Sequence, residues 1–362
     1  MKQSATTEQP GENDDDLKSS ELSPLKKSTH KNLRRDLATL VQCMERSTGV
    51  DGKSVSSWVA DRLGVAENDS NPGHSGLNVD NSPIQLCYSI RPDRCSARLV
   101  IDPGSTAKDL VERTRRTQQL IEQQIQMHVG ESAVTPMREF VARFGPKDDE
   151  EAPLFPKGFG WFSSSHQKPG LALYIAPSNR TLSDTWKRID QWFTAAGLDE
   201  DDPYRLRQAR ERIRPSALGL EGAHISDLRL KLYFQFDQPR PFEEIGINDF
   251  LSESYRNFMQ MLVGQRNIQT KGLFFCVGLH GDTGAQVDTK IDICGCSRCL
   301  NYTKKEEIEV VTMLGHYFGF DVTQVLQGLK HPQCRLAVIG MGQSVLGDLR
   351  LNVYLKGTSN EG

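Results

Sequence analysis

The chain has no run of about 20 apolar residues, the length a helix needs to cross a bilayer. Its longest apolar stretches are strand-sized, and its N-terminus lacks the apolar core of a secretory signal peptide. Neither sign of charge dominates. A net charge of −3 in 362 residues and a pI near 6.3 give no global attraction to nucleic acid or anionic membrane. The DDxxD spacing that sets two carboxylates one helical turn apart is missing, as is a second Cys-x-x-Cys with finger-like spacing. The expectation is a soluble, cytoplasmic protein with no nucleic-acid or membrane partner. Its eight cysteines are then reduced thiols rather than a disulfide framework. The length accommodates a single barrel.

What the chain does have is a strand with charge on one face and aliphatics on the other, written more than once. In Leu228-Arg229-Leu230-Lys231-Leu232-Tyr233-Phe234, alternation of side chains puts Arg229, Lys231 and Tyr233 in one column. Leu349-Arg350-Leu351-Asn352-Val353-Tyr354-Leu355 repeats the pattern. Columns of Arg-x-(Lys or Asn)-x-Tyr suit a polar lumen that binds an anion, backed by apolar packing outside.

The columns sit in a repeating organisation. Residues 1–30 are polar and poor in apolar residues, as is 358–362, so both are expected to be disordered tails around one domain over 31–357. A helical pair is expected at 31–48 and 53–64. Strand pairs are expected at 83–90 with 97–103, 157–165 with 170–176, 215–223 with 227–236, 271–280 with 286–294, and 334–342 with 347–356. Short turns such as Gly281-Asp282-Thr283-Gly284 join the members of each pair. Helical periodicity fills most links between pairs, at 107–129, 182–196, 241–263 and 304–317. Ten antiparallel strands tend to curl or close. The expected fold is α+β: a ten-stranded antiparallel β-barrel with a solvent-filled lumen inside a ring of helices, an open sheet being the alternative.

Five αββα units with Arg, Lys and Tyr facing a lumen resemble the aromatic prenyltransferases of the ABBA (PT-barrel) fold. Residues 80–357 carry the likeness, and the dimethylallyltryptophan-synthase-like branch and its bacterial indole relatives look nearest. The resemblance implies electrophilic transfer of a dimethylallyl group from dimethylallyl diphosphate to an aromatic, indole-type small molecule. It implies no required cofactor and no obligatory Mg²⁺. By position, Arg98, Arg229, Lys231, Lys290, Arg350 and Asn352 would hold the diphosphate, and Tyr174, Tyr233 and Tyr354 would shield the cation. Gln85, Lys290 and Asp292 would act on the acceptor.

Three departures stand out. Ala172 replaces the lysine of a Lys-x-Tyr pair, Asp292 replaces the aromatic of a polar-x-aromatic pair that Lys290 opens, and Gln85 replaces a glutamate that accepts an indole N–H. Gln85 still accepts a hydrogen bond through its carbonyl but is no carboxylate base. Converging Arg and Lys donors stabilise the charge that develops on pyrophosphate as the allylic C–O bond breaks. Tyrosine faces attract the cation, each by about 0.5–2 kcal/mol. Asp292, a tyrosine, or Lys290 with a pKa lowered by burial are the candidate proton acceptors, and Trp161, Phe275 and Met341 are candidates to set lumen depth. A non-catalytic barrel for an anionic or phosphorylated hydrophobic ligand is the alternative reading.

Two motifs stay outside this scheme. Cys294, Cys296 and Cys299 would hold a structural zinc if Cys276 reached the same strand end, and are otherwise free thiols near the barrel rim. The acidic runs 148–151 and 199–202 read as solvated loops, and the basic stretch 205–214 as an exposed helix face.

Overall fold

The computed structural model describes residues 33–49, 51–53, 57, 75–78, 82–105, 107, 109–164, 170–176, 178–195, 213–236, 252–263, 273–281, 283–296 and 300–358. Both expected tails lie outside them except Thr358, whose backbone N–H is tied to the Gln333 carbonyl at 2.7 Å.

Ten strands follow the chain: β1 Ile84–Arg91, β2 Arg94–Ile101, β3 Gly160–Ser164, β4 Leu171–Ile175, β5 Ile213–Gly222, β6 Arg229–Phe236, β7 Leu273–His280, β8 Gln286–Cys294, β9 Cys334–Ser344 and β10 Leu349–Gly357. Each pairs antiparallel with its sequence neighbours, and β1 pairs with β10, so the sheet is a closed barrel. Closure removes every exposed sheet edge.

Alternation sorts the side chains. Leu230, Leu232 and Phe234 of β6 point outward into the buried core shared with the helices. Each aliphatic buried there contributes about 1.5–3 kcal/mol. Arg229, Lys231 and Tyr233 point into the lumen. Phe275 and Met341 belong to the outer core, so of the residues expected to set lumen depth only Trp161 lines it. The correction follows from register: Cys276 and Gly342 share the lumen column with Lys290, so their neighbours Phe275 and Met341 must face outward.

Seven helices are described: α1 Leu33–Thr48, α2 Leu110–His128, α3 Glu131–Phe144, α4 Leu182–Ala195, α5 Glu253–Val263, α6 Lys304–Phe318 and α7 Thr323–Leu329. None is long and apolar enough to cross a membrane. The ends of α6 are specified locally: Thr303 and Glu306 form a capping box, and Gly319 closes the helix at φ +70°. The periodicity reading omits α3 and α7. Pro136 lies inside α3 and reads as a breaker, yet Ala133, Met137, Phe140 and Phe144 form a buried stripe that outweighs it. The expected helix over 53–64 and residues 241–251 of the link before β7 lie largely outside the described residues.

Two further expectations change. Residues 149–154 form a 3₁₀ turn capped by Asp148 rather than an irregular loop; Asp148 and Glu150 are exposed, and Glu151 pairs with Arg180 at 2.5 Å. Of the basic stretch 205–214, the described Arg214 lies on β5 rather than on a helix. The run 199–202 lies outside the described residues.

Candidate active site

The lumen is layered. Toward one end lies a chamber of about 930 Å³, lined among others by Gln85, Val100, Trp161, Tyr174, Ala217, Tyr233, Phe274, Lys290, Asp292, Cys294, Val338 and Tyr354. Two β-bulges, at Pro215–Ala217 on β5 and opposite Tyr354/Leu355 on β9, place consecutive residues on this wall. Of the five cations that the sequence marks, only Lys290 lines this chamber, and the other four lie beyond it. Arg98 Nη1 is 3.3 Å from Glu221 Oε1, and Lys231 contacts the other oxygen of the same carboxylate. Asp288 Oδ2 receives Arg229 Nη1 at 3.1 Å and Arg350 Nη2 at 3.2 Å. Lys290 lies 2.5 Å from Asp292. The structure thus brings together all five cations marked by the sequence and interleaves them with three carboxylates, of which the sequence reading had marked only Asp292.

Glycines make this reach feasible. Asp288 on β8 meets Arg229 on β6 across Gly278 of β7, where a Cβ would lie 2.2 Å from Asp288 Oδ1. Asp292 rests on Gly340 of β9, where a Cβ would lie 1.8 Å from its Oδ1. Gly342 seats the Arg350 guanidinium and Gly219 the Tyr174 ring. Asp288, Asp292, Arg350 and Tyr174 on even strands therefore rest over glycines on odd strands, while Glu221 reaches in from the odd strand β5. Alternation in Leu218-Gly219-Leu220-Glu221, Val277-Gly278-Leu279 and Asp288-Thr289-Lys290-Ile291-Asp292 was the available signal for Glu221, Asp288 and the glycines.

Several donors remain unused. Arg98 Nε, Arg229 Nε, Arg350 Nε and Asn352 Nδ2 are buried with no hydrogen-bond partner. Each such group leaves roughly 1–3 kcal/mol of desolvation uncompensated, so the lumen is primed for an acceptor-rich anion. Among the described residues no three His, Cys, Asp or Glu side chains converge as a metal site. Cys299 lies outside them, Cys294 faces the chamber, and Cys296 is buried in the outer core with its thiol donating to the Ile293 carbonyl. Cys276 pairs with Lys290 at mid-barrel, away from the strand end, where burial pushes its thiol up to about 11.

An aromatic collar lines the chamber together with Lys290. Trp161 and Tyr174 stack at 6.2 Å, and Tyr174 meets Tyr233 edge-on at 6.1 Å. The tyrosine faces already attract resident charge: Lys290 Nζ is 5.2 Å from the Tyr233 ring centroid and 5.7 Å from that of Tyr354. Burial pushes the Tyr233 and Tyr354 phenols well up, so both stay neutral. Burial alone would lower Lys290, but the Asp292 carboxylate carries it well above the usual lysine value. Lys231 goes the other way: burial and the fields of Arg98, Arg350 and Lys290 push it well down, against the opposing contact with Glu221.

At the chamber wall Gln85 is buried and its amide orientation is fixed. Nε2 donates to Asn78 Oδ1 at 2.7 Å and to the Leu77 carbonyl at 3.3 Å. Asn78 in turn donates to the carbonyls of Ser82 and Ile84, so its own oxygen must accept. Gln85 Oε1 is therefore the end turned to the chamber as an acceptor. Asn78 is a site residue that the sequence reading missed, since nothing in its loop context signals the partnership.

No protein-family model matches the chain, and no curated protein matches it. Solved structures do. A 6-dimethylallyltryptophan synthase from Micromonospora olivasterospora, in complex with DMASPP and Trp, superposes with a TM-score of 0.72 at 14% identity, over 90% of this chain and 97% of that one. A 5-dimethylallyl tryptophan synthase from Streptomyces coelicolor, also with DMASPP and Trp, gives 0.69 at 15%, over 88% and 93%. AnaPT from Neosartorya fischeri gives 0.69 at 13%, over 92% and 95%. These are ABBA-fold aromatic prenyltransferases, and this chain has their PT-barrel fold.

Proposed function

We propose that the chain is an aromatic prenyltransferase that moves a dimethylallyl group from dimethylallyl diphosphate to an aromatic acceptor bearing an N–H, by electrophilic alkylation without an obligatory metal. The observation that carries this is the layering: unpaired lumen donors on Arg98, Arg229, Arg350 and Asn352, an aromatic collar, then a chamber with an acceptor carbonyl on its wall. Fold-mates crystallised with DMASPP and Trp support the same ligand classes here.

In this reading the guanidiniums and Lys231 receive the pyrophosphate as the C–O bond breaks. Tyr174, Tyr233 and Tyr354 flank the allyl cation and keep water from it. Gln85 Oε1 accepts the acceptor's N–H and so sets which ring carbon faces the cation. That carbon forms the new C–C bond, and its proton must leave to restore aromaticity. Lys290 is held charged by Asp292 and the phenols are neutral, so the Asp292 carboxylate is assigned as the proton's acceptor.

The test is incubation with dimethylallyl diphosphate and a panel of tryptophan, cyclic dipeptides, other indoles and phenols, with and without EDTA. The expected result is an EDTA-resistant C5H8 adduct with release of pyrophosphate. Saturable diphosphate binding with no adduct from any acceptor would favour the anion-binding barrel, a reading kept open by Ala172, Gln85 and the three lumen carboxylates.

A further inference from the structure

The lumen is not a plain cationic pocket. Its five cations carry three resident carboxylates, and these differ in their freedom to move. Asp288 is wedged over Gly278 with its side chain 8% exposed, and it holds one guanidinium from each side. Asp292 is likewise seated on Gly340, 7% exposed. Glu221 differs. Its side chain is 33% exposed, it stands near the end of β5, and it lies directly across from the small Ala172 of β4. One carboxylate there holds both Arg98 and Lys231, so those donors are spoken for while Arg98 Nε remains buried and unpaired.

We propose that Glu221 is an internal counter-anion occupying the subsite formed by Arg98 and Lys231, and that an incoming phosphate or diphosphate must displace it. This rests on the reading of the lumen as an anion site, and it deepens that reading by naming what the ligand competes with. The displacement has a route: Glu221 swings toward the exposed end of β5, and Ala172 presents nothing to block it. The ligand's oxygens then replace the carboxylate on both cations, and they gain Arg98 Nε. Glu221 thereby sets the charge the lumen selects for, because a weakly charged anion cannot outcompete a carboxylate already in contact.

The experiment is calorimetric titration of the full chain with inorganic pyrophosphate at low ionic strength, for wild type, Glu221→Gln, Glu221→Ala and the surface control Asp148→Asn. Glu221→Gln removes the competitor's charge and keeps its shape, and Glu221→Ala removes both. Both should bind pyrophosphate about 100- to 1000-fold tighter, the size expected from removing one like charge about 4–6 Å away at an effective dielectric of about 20. Asp148→Asn should match wild type. Wild-type binding with unchanged or weaker affinity in Glu221→Gln overturns the counter-anion role and leaves the anion site standing. If Glu221→Gln does not fold, Glu221→Ala decides on the same criterion. Absence of binding in wild type and every folded variant overturns both.

Discussion

A buried amide can face a ligand with either end, and at Gln85 the choice is made by a neighbour. Asn78 donates to two backbone carbonyls, so its own oxygen must take the Gln85 Nε2–H. Removing that acceptor with Asn78→Ala lets the amide turn. One hydrogen bond of about 1 kcal/mol sets the scale, so acceptor KM should rise about fivefold with pyrophosphate affinity unchanged. Equal loss in both would mean that Asn78 only holds the fold. Lys231 supplies a pH signature. Its ammonium is pushed down by burial and by Arg98, Arg350 and Lys290, while Lys290 is pushed up by Asp292. A bound anion favours the ammonium, so pyrophosphate affinity should fall as pH climbs through the lowered Lys231 value toward about 10.4. Lys231→Met should flatten that fall. Stability moves oppositely: between the lowered value and about 10.4 the unfolded chain holds the extra proton, so this group makes stability rise with pH. A wild-type-minus-Lys231→Met difference in urea midpoint that drops with pH there would contradict the assignment.

Between elements, glycines of β7 and β9 make room and the carboxylates of β8 fill it. Gly278→Ala would set a Cβ 2.2 Å from Asp288 Oδ1, with its next contact at 3.3 Å. Gly340→Ala would set one 1.8 Å from Asp292 Oδ1 and also 2.7 Å from the Ile291 carbonyl, which is backbone of the neighbouring strand. Overpacking of this kind costs about 1–3 kcal/mol, so both should destabilise, Gly340→Ala more. Urea unfolding ranks them, and the reverse order would sink this account of the lumen floor. The same crossings explain why the carboxylates were hard to read. Asp288 reaches Arg229 over an intervening strand, a relation set by barrel curvature rather than by spacing along the chain.

At the scale of the molecule, two polar systems are kept apart by the sheet. Inside is the lumen; outside, fully buried Glu307 of α6 accepts Arg335 Nε of β9 at 2.8 Å. Arg335→Met leaves that carboxylate buried without its partner, a loss of about 3 kcal/mol when such pairs are broken, reduced by Arg335's partial exposure. Chemical denaturation should register it, while pyrophosphate titration of the folded fraction should match wild type; coupled changes would show that the sheet does not insulate the layers. The chain alone determined the ten strands, their hairpin pairing and the Arg229-Lys231-Tyr233 and Arg350-Asn352-Tyr354 columns, because side-chain alternation and turn residues are local properties that survive in a linear record. Helix α3 escaped because its buried stripe outweighs Pro136 only when a core is there to receive it. Phe275 and Met341 fell on the wrong side because facing is set by register, and one residue of register reverses the face. The pairing of five cations with Glu221, Asp288 and Asp292, the glycine floor and the Asn78–Gln85 bond were decided only by tertiary structure. They join residues that closure of the barrel brings within hydrogen-bonding reach, and nothing in the spacing of a linear chain records that distance.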